Sequence, residues 1–68
     1  METIAIKTES IQLDQLLKWA NIAASGGEAK QLIQSGQVLL NGTVETRRSK
    51  KVYRGDLVTV GDRTIKVT

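Results

Sequence analysis

The chain has 68 residues, 40% hydrophobic and 25% charged, with a net charge of +3, which bounds it to one small domain. Cys and His are absent, which excludes disulfides, thiolate or imidazole catalysis and the usual zinc and haem ligand sets. A chain this short leaves little room for a substrate cavity beside a core of Leu, Ile, Val and Ala, so neither an enzyme nor a cofactor is expected.

In chain order, Thr3–Ile6 alternates polar and apolar, which predicts a short strand with Ile4 and Ile6 inward. Thr8-Glu9-Ser10 is a turn, and Ile11 leads into a helix. Leu13, Leu16, Leu17 and Ala20 recur at i, i+3, i+4, i+7 and form one apolar stripe. Asp14 sits in the first turn, where the helix dipole favours a negative charge. Trp19 lies at the edge of the stripe, as a half-buried flank of the core or as a platform for a stacked base. Asn21 tolerates a left-handed cap, so the helix ends there and Ile22 and Ala23 return to the core.

Ser25 and Glu28 form an S-x-x-E capping box that opens a second helix. Ala29, Leu32 and Ile33 are its buried face, and Gly36 stops it. Its outer face, Gly27, Lys30, Gln31 and Gln34, has no apolar side chain. Val38–Leu40 is a strand, Asn41-Gly42 a hairpin turn, and Val44 resumes the pairing.

Thr46 to Lys51 is a basic loop. Residues 46–54 hold five basic side chains and no acidic one, so the rest of the chain is net negative and the positive field is local. Val52 is the apolar anchor, and Arg54-Gly55-Asp56 is a turn. Leu57, Val58 and Val60 make a strand, Gly61-Asp62-Arg63 turns it back, and Ile65 and Val67 close the fold. Asn41-Gly42-Thr43 fits a glycosylation sequon and Arg54-Gly55-Asp56 an adhesion tripeptide, but each reads as a turn. The expected architecture is α+β, two helices packed on a small, mostly antiparallel sheet, as a single domain over 1–68. The segment Met1–Lys7 lacks the basic head and apolar run of a signal peptide, and no stretch has the length of a membrane span, so a cytoplasmic monomer is expected.

The ordered series Leu13-Asp14-x-x-Leu17, Ser25-x-x-Glu28-Ala29-Lys30-x-Leu32-Ile33-x-x-Gly36-x-Val38-x-Leu40-Asn41-Gly42 and Val52-x-x-Gly55-Asp56-x-Val58 resembles the RNA-binding domain of small-subunit ribosomal protein four, the αL motif. The resemblance spans about residues 11 to 60 and implies a stand-alone bacterial member that binds structured RNA without catalysis. Ribosomal RNA or a ribosomal particle is the first partner it implies and transfer RNA the second, with a role in ribosome assembly or translation. Two positions depart from the family pattern: Gln12 and Gly26 stand where a basic residue is common, so two phosphate contacts are missing.

The residues expected to meet RNA fall into three groups. Ser25, Gly26 and Gly27 open the second helix, where free N–H donors meet phosphate. Lys30 and Gln34 would line a groove between that helix and the basic loop. Arg47, Arg48, Ser49, Lys50 and Lys51 supply the charge, with Arg offering a planar fork and Lys a point charge. Two aromatics cannot build a track for several bases, which favours structured RNA over long single strands, although Tyr53 has a ring for one base. Two alternatives stand beside this reading. One is a ubiquitin-like protein-interaction module, although the chain ends Lys66-Val67-Thr68 rather than in the Gly-Gly of sulfur carriers. The other is a DNA-associated accessory protein.

Overall fold

A computed structural model describes residues 1–68. The elements run β1 (Glu2–Ile4), β2 (Ser10–Gln12), α1 (Leu13–Trp19), α2 (Gly26–Gln34), β3 (Val38–Leu40), β4 (Thr43–Val44), β5 (Lys51–Tyr53), β6 (Leu57–Val60) and β7 (Arg63–Val67). Five strands form one sheet in the order β1-β7-β6-β3-β4, and β2 and β5 form a separate antiparallel ribbon. Every pair in the larger sheet is antiparallel except β1 with β7. The fold is α+β, as expected.

One face of the sheet carries the core. Register places Leu40, Val58 and Ile65 in one row across it and Val38 beside Val60 in the next. The apolar stripe of α1 (Leu13, Leu16, Leu17) and that of α2 (Ala29, Ile33) bury against this face, together with Ile6, Ala23 and Val67. All five stripe residues are fully excluded from water. At roughly 25 cal/mol per Å² of apolar surface, this burial is the main favourable term available to a chain with no cysteine and no cluster of metal-ligating side chains.

Both helices stop by the same device. At the end of α1, Asn21 adopts φ 57°, its N–H donates to the Lys18 carbonyl, and the Ile22 N–H donates to Leu17. At the end of α2, Gly36 adopts φ 83°, its N–H donates to Ile33, and the Gln37 N–H donates to Leu32. These are two Schellman motifs, one closed by Asn and one by Gly, as the sequence predicts.

Four expectations need correction. Ser10–Gln12 is a strand, not a turn and a helix lead-in, because Ile11 pairs with Val52 across the β2–β5 ribbon. Arg63 starts β7 rather than ending a turn. Its guanidinium donates from Nε to the Glu2 carboxylate at 2.8 Å and from Nη2 to the Ala20 carbonyl at 3.0 Å, joining β1, β7 and the end of α1. Trp19 is 59% exposed rather than half-buried, at the last residue of α1 and off the buried stripe of Leu13, Leu16 and Leu17. Leu32 is only half-buried, as it lies at the margin of the stripe that Ala29 and Ile33 centre.

Candidate nucleic-acid interface

The start of α2 is built from local sequence. Ser25 is extended (φ −149°, ψ 168°) and its Oγ accepts the Glu28 N–H at 3.2 Å. The reciprocal bond of a capping box is absent: the exposed Glu28 carboxylate accepts nothing from the Ser25 N–H. The N–H groups of Gly26 and Gly27 have no acceptor within the chain. Both residues are exposed, and a Cβ at Gly26 would meet no atom within 4 Å, so the approach to these donors is open. Helical spacing puts Glu28 and Lys30 on nearly opposite sides of α2, which separates the carboxylate from the ammonium.

The basic loop is an ordered structure. The Lys50 carbonyl accepts the Leu13 N–H at 2.9 Å, and the Arg48 carbonyl accepts the Asp14 N–H at 3.1 Å. These bonds satisfy two of the orphan donors that open α1; Gln12 makes no capping bond, and the only side chain that helps is Asp14, whose Oδ1 accepts the Gln15 N–H at 2.8 Å. The Lys50 N–H in turn donates to the Arg47 carbonyl. Glu45, just before the loop, accepts from both the backbone N–H and the Nε of Arg47. The Arg47 side-chain bond, reinforced by its N–H and by the charge of Lys50, holds the Glu45 carboxyl below the usual carboxylate range. Arg47 is thus partly neutralised, a pairing outside the 46–54 window in which the charge excess is seen.

Arg48, Lys50 and Lys51 have no carboxylate within salt-bridge distance; the ion pairs of the chain are Arg47–Glu45 and Arg63–Glu2. Arg48, Ser49 and Lys51 are exposed and Lys50 is half-buried. Lys50 and Lys51 line a cleft whose other wall is the β3–β4 hairpin, with Thr43 and Val44. Gln34 lines a separate shallow depression on α2 with Gln31, Ser35 and Gln37, and Lys30 belongs to neither hollow. The hydrogen bonds tie the basic loop to the start of α1, and none joins it to Lys30 or Gln34.

Sequence reasoning also missed a polar bridge. Asn41 adopts φ 51° and its Nδ2 donates to Asp56 Oδ1 at 3.1 Å, while its Oδ1 accepts the Leu57 N–H at 2.9 Å. Asp56 Oδ2 accepts the Tyr53 N–H at 2.8 Å. The two turns, Asn41-Gly42 and Gly55-Asp56, are therefore one hydrogen-bonded unit. Their joint presence, an Asn in one turn and an Asp in the other, was the available signal.

A family model described as the S4 domain matches residues 4–68. The chain belongs to the S4 domain family. It is 44% identical over 57 residues to the Bacillus subtilis protein named probable ribosome maturation protein RlbA, covering 84% of this chain and 80% of that one. It is 36% identical over 61 residues to YbcJ of Escherichia coli, covering 90% and 87%. The solution structure of YbcJ, described as revealing an αL motif involved in RNA binding, superposes with a TM-score of 0.76 at 35% identity, over 100% of this chain and 87% of that one. Trimeric heat shock protein 15 of Vibrio cholerae superposes with a TM-score of 0.70 at 28% identity, over 82% of this chain and 58% of that one. Membership of the S4 family sets aside the ubiquitin-like alternative. No helix of the chain is long and apolar enough to cross a membrane.

Proposed function

We propose that this S4 domain binds structured RNA without catalysing a reaction, as a single-domain monomer over 1–68 in the cytoplasm. Ribosomal RNA, alone or in a ribosomal particle, is the first partner and transfer RNA the second, and the role is in ribosome assembly or translation. The observation that carries the reading is the basic loop: Arg48, Lys50 and Lys51 lack carboxylate partners on a segment anchored by two backbone hydrogen bonds to α1. Unpaired cations on a fixed backbone lose little entropy on meeting phosphates. Arg47 and Ser49 extend that surface, and Ser25, Gly26 and Gly27 with Lys30 and Gln34 supply a second, weaker contact on α2. The ribosome-maturation name of the B. subtilis relative and the RNA-binding motif of YbcJ support the choice of partner.

The test is RNA affinity as a function of salt, for the wild type and for a variant with Arg47, Arg48, Lys50 and Lys51 all changed to Glu. With about four to six phosphates neutralised, log affinity falls against log salt with a slope of about −0.7 to −0.9 per phosphate. The variant is expected to stay folded and to lose most of that slope. An unchanged slope in a folded variant sinks the loop assignment. Equal affinity for hairpin RNA and for duplex DNA of the same charge leaves only a general polyanion binder.

A further inference from the structure

The cleft beside the basic loop holds an aromatic ring that the core does not use. Tyr53 is 47% exposed and its hydroxyl has no hydrogen-bond partner. Strand alternation explains the exposure. Val52 is fully buried, so Lys51 and Tyr53, on either side of it, project together from the opposite face of the β2–β5 ribbon. Val44, 51% exposed, lines the same cleft from the β3–β4 hairpin.

The walls of this cleft are fixed relative to each other. Asp56 holds the backbone N–H of Tyr53 with one carboxylate oxygen and the Asn41 amide of the hairpin turn with the other. The ring and the hairpin are thus positioned by the same side chain. The cleft also has a usable charge. Both oxygens of Asp56 already accept hydrogen bonds, and Glu45 is engaged by Arg47, whereas Lys50 and Lys51 have no ion-pair partner. An anion entering here meets two ammonium groups and two acids that are already bonded.

An exposed ring face, an apolar side chain opposite and unpaired ammonium groups suit one chemical class: a nucleotide whose base is free of the helix stack. Residues i and i+2 of a strand lie about 7 Å apart, which is the scale of the separation between base and phosphate in one nucleotide. We propose that this cleft takes a single unpaired nucleotide of the bound RNA, with its base stacked on Tyr53 against Val44 and its phosphates neutralised by Lys50 and Lys51. The proposal rests on the RNA-binding reading above and adds to it: the RNA presents a bulged or looped-out base at a fixed distance from the phosphates held by Arg48. Stacking is tolerant of base identity, so the cleft selects shape rather than sequence.

Two probes separate this inference from the reading it rests on: a short blunt RNA duplex, and the same duplex with one bulged adenosine, each measured by fluorescence anisotropy. The wild type is expected to bind the bulged RNA about tenfold more tightly than the blunt one. Tyr53→Ala removes that preference while leaving affinity for the blunt duplex unchanged, and Tyr53→Phe keeps it. Lys51→Gln, a surface change away from the core, narrows the preference independently. Equal binding of the two RNAs by the wild type overturns the nucleotide cleft, and so does a full preference retained by Tyr53→Ala. Failure of the wild type to bind either RNA at low salt refutes RNA binding itself, a different outcome from either of these.

Discussion

Replacing Asn41 by Ala tests whether the two turns act as one unit. The side chain makes two hydrogen bonds, one to the Asp56 carboxylate and one from the Leu57 N–H. Both are exposed to solvent, so each is worth the low end of the usual net range, about 0.5 to 1 kcal/mol. The left-handed backbone at φ 51° adds a cost for Ala that Asn largely escapes, about 1 kcal/mol. The sum is about 2 to 3 kcal/mol. A domain of this size has a total stability of roughly 3 to 10 kcal/mol, so the loss is a large fraction of it. Urea unfolding followed by far-ultraviolet circular dichroism should show the midpoint falling at unchanged slope, and Tm should fall by roughly 8 to 24 °C. Asn41→Gly removes the same hydrogen bonds but not the backbone freedom to turn left, so it should recover about 1 kcal/mol of the loss. Combining Asn41→Ala with Asp56→Ala should cost less than the sum of the two single changes, because they share a bond. If Asn41→Ala stays within about 0.5 kcal/mol of the wild type, the bridge contributes nothing and the walls of the cleft are held by something else.

Two further predictions concern the frame around the site. The Arg63 hydrogen bond, the larger cause, and the Arg63 charge hold the Glu2 carboxyl below its ordinary 4.5. A depressed carboxylate contributes stability that is complete above the ordinary value and is lost as pH falls through the lower, folded value. Acid titration of Tm should therefore show a loss beginning near pH 4.5 that Arg63→Gln reduces, and an identical acid limb in that variant refutes the latch. Gly36→Ala should cost about 1 kcal/mol in urea unfolding, all of it backbone strain at φ 83°, because the added Cβ would sit 3.9 Å from Val44 Cγ1, an ordinary contact. A neutral result there would mean that the end of α2 rearranges freely.

What the sequence reveals follows the range of each interaction. The second helix is legible because its signals are local: Ser25 caps it, Ala29 and Ile33 share one face, and Gly36 ends it, all within twelve positions. The Asn21 and Gly36 helix stops are legible for the same reason. β2 is not legible, because Ser10–Gln12 takes its identity from β5, a partner far along the chain, and Ile11 and Leu13 mimic the onset of an amphipathic helix. Arg63 looks like a turn residue beside Gly61-Asp62, and only the fold brings it to Glu2 and Ala20. For the interface, charge is countable in sequence but its anchoring is not. The basic run could be seen; its carbonyls closing the start of α1, and Glu45 turning back to hold Arg47, could not. The grouping of Lys30 and Gln34 with the loop came from pattern, whereas the hollows the side chains line are separate.

The parallel pairing of β1 with β7 also fixes an order of events during synthesis. β1 leaves the ribosome first, yet its strand partner is the last of the seven to be made. Until β7 arrives, Ile4 lacks its register partner Val67, and the Ile6 N–H lacks its acceptor on Thr68. Strands β3 to β6 and both helices can assemble earlier from contacts closer in sequence. The closing step is therefore the longest-range one in the fold, and topology predicts that it limits the folding rate. The newborn chain must hold its first strand in waiting until almost all of the domain has been translated.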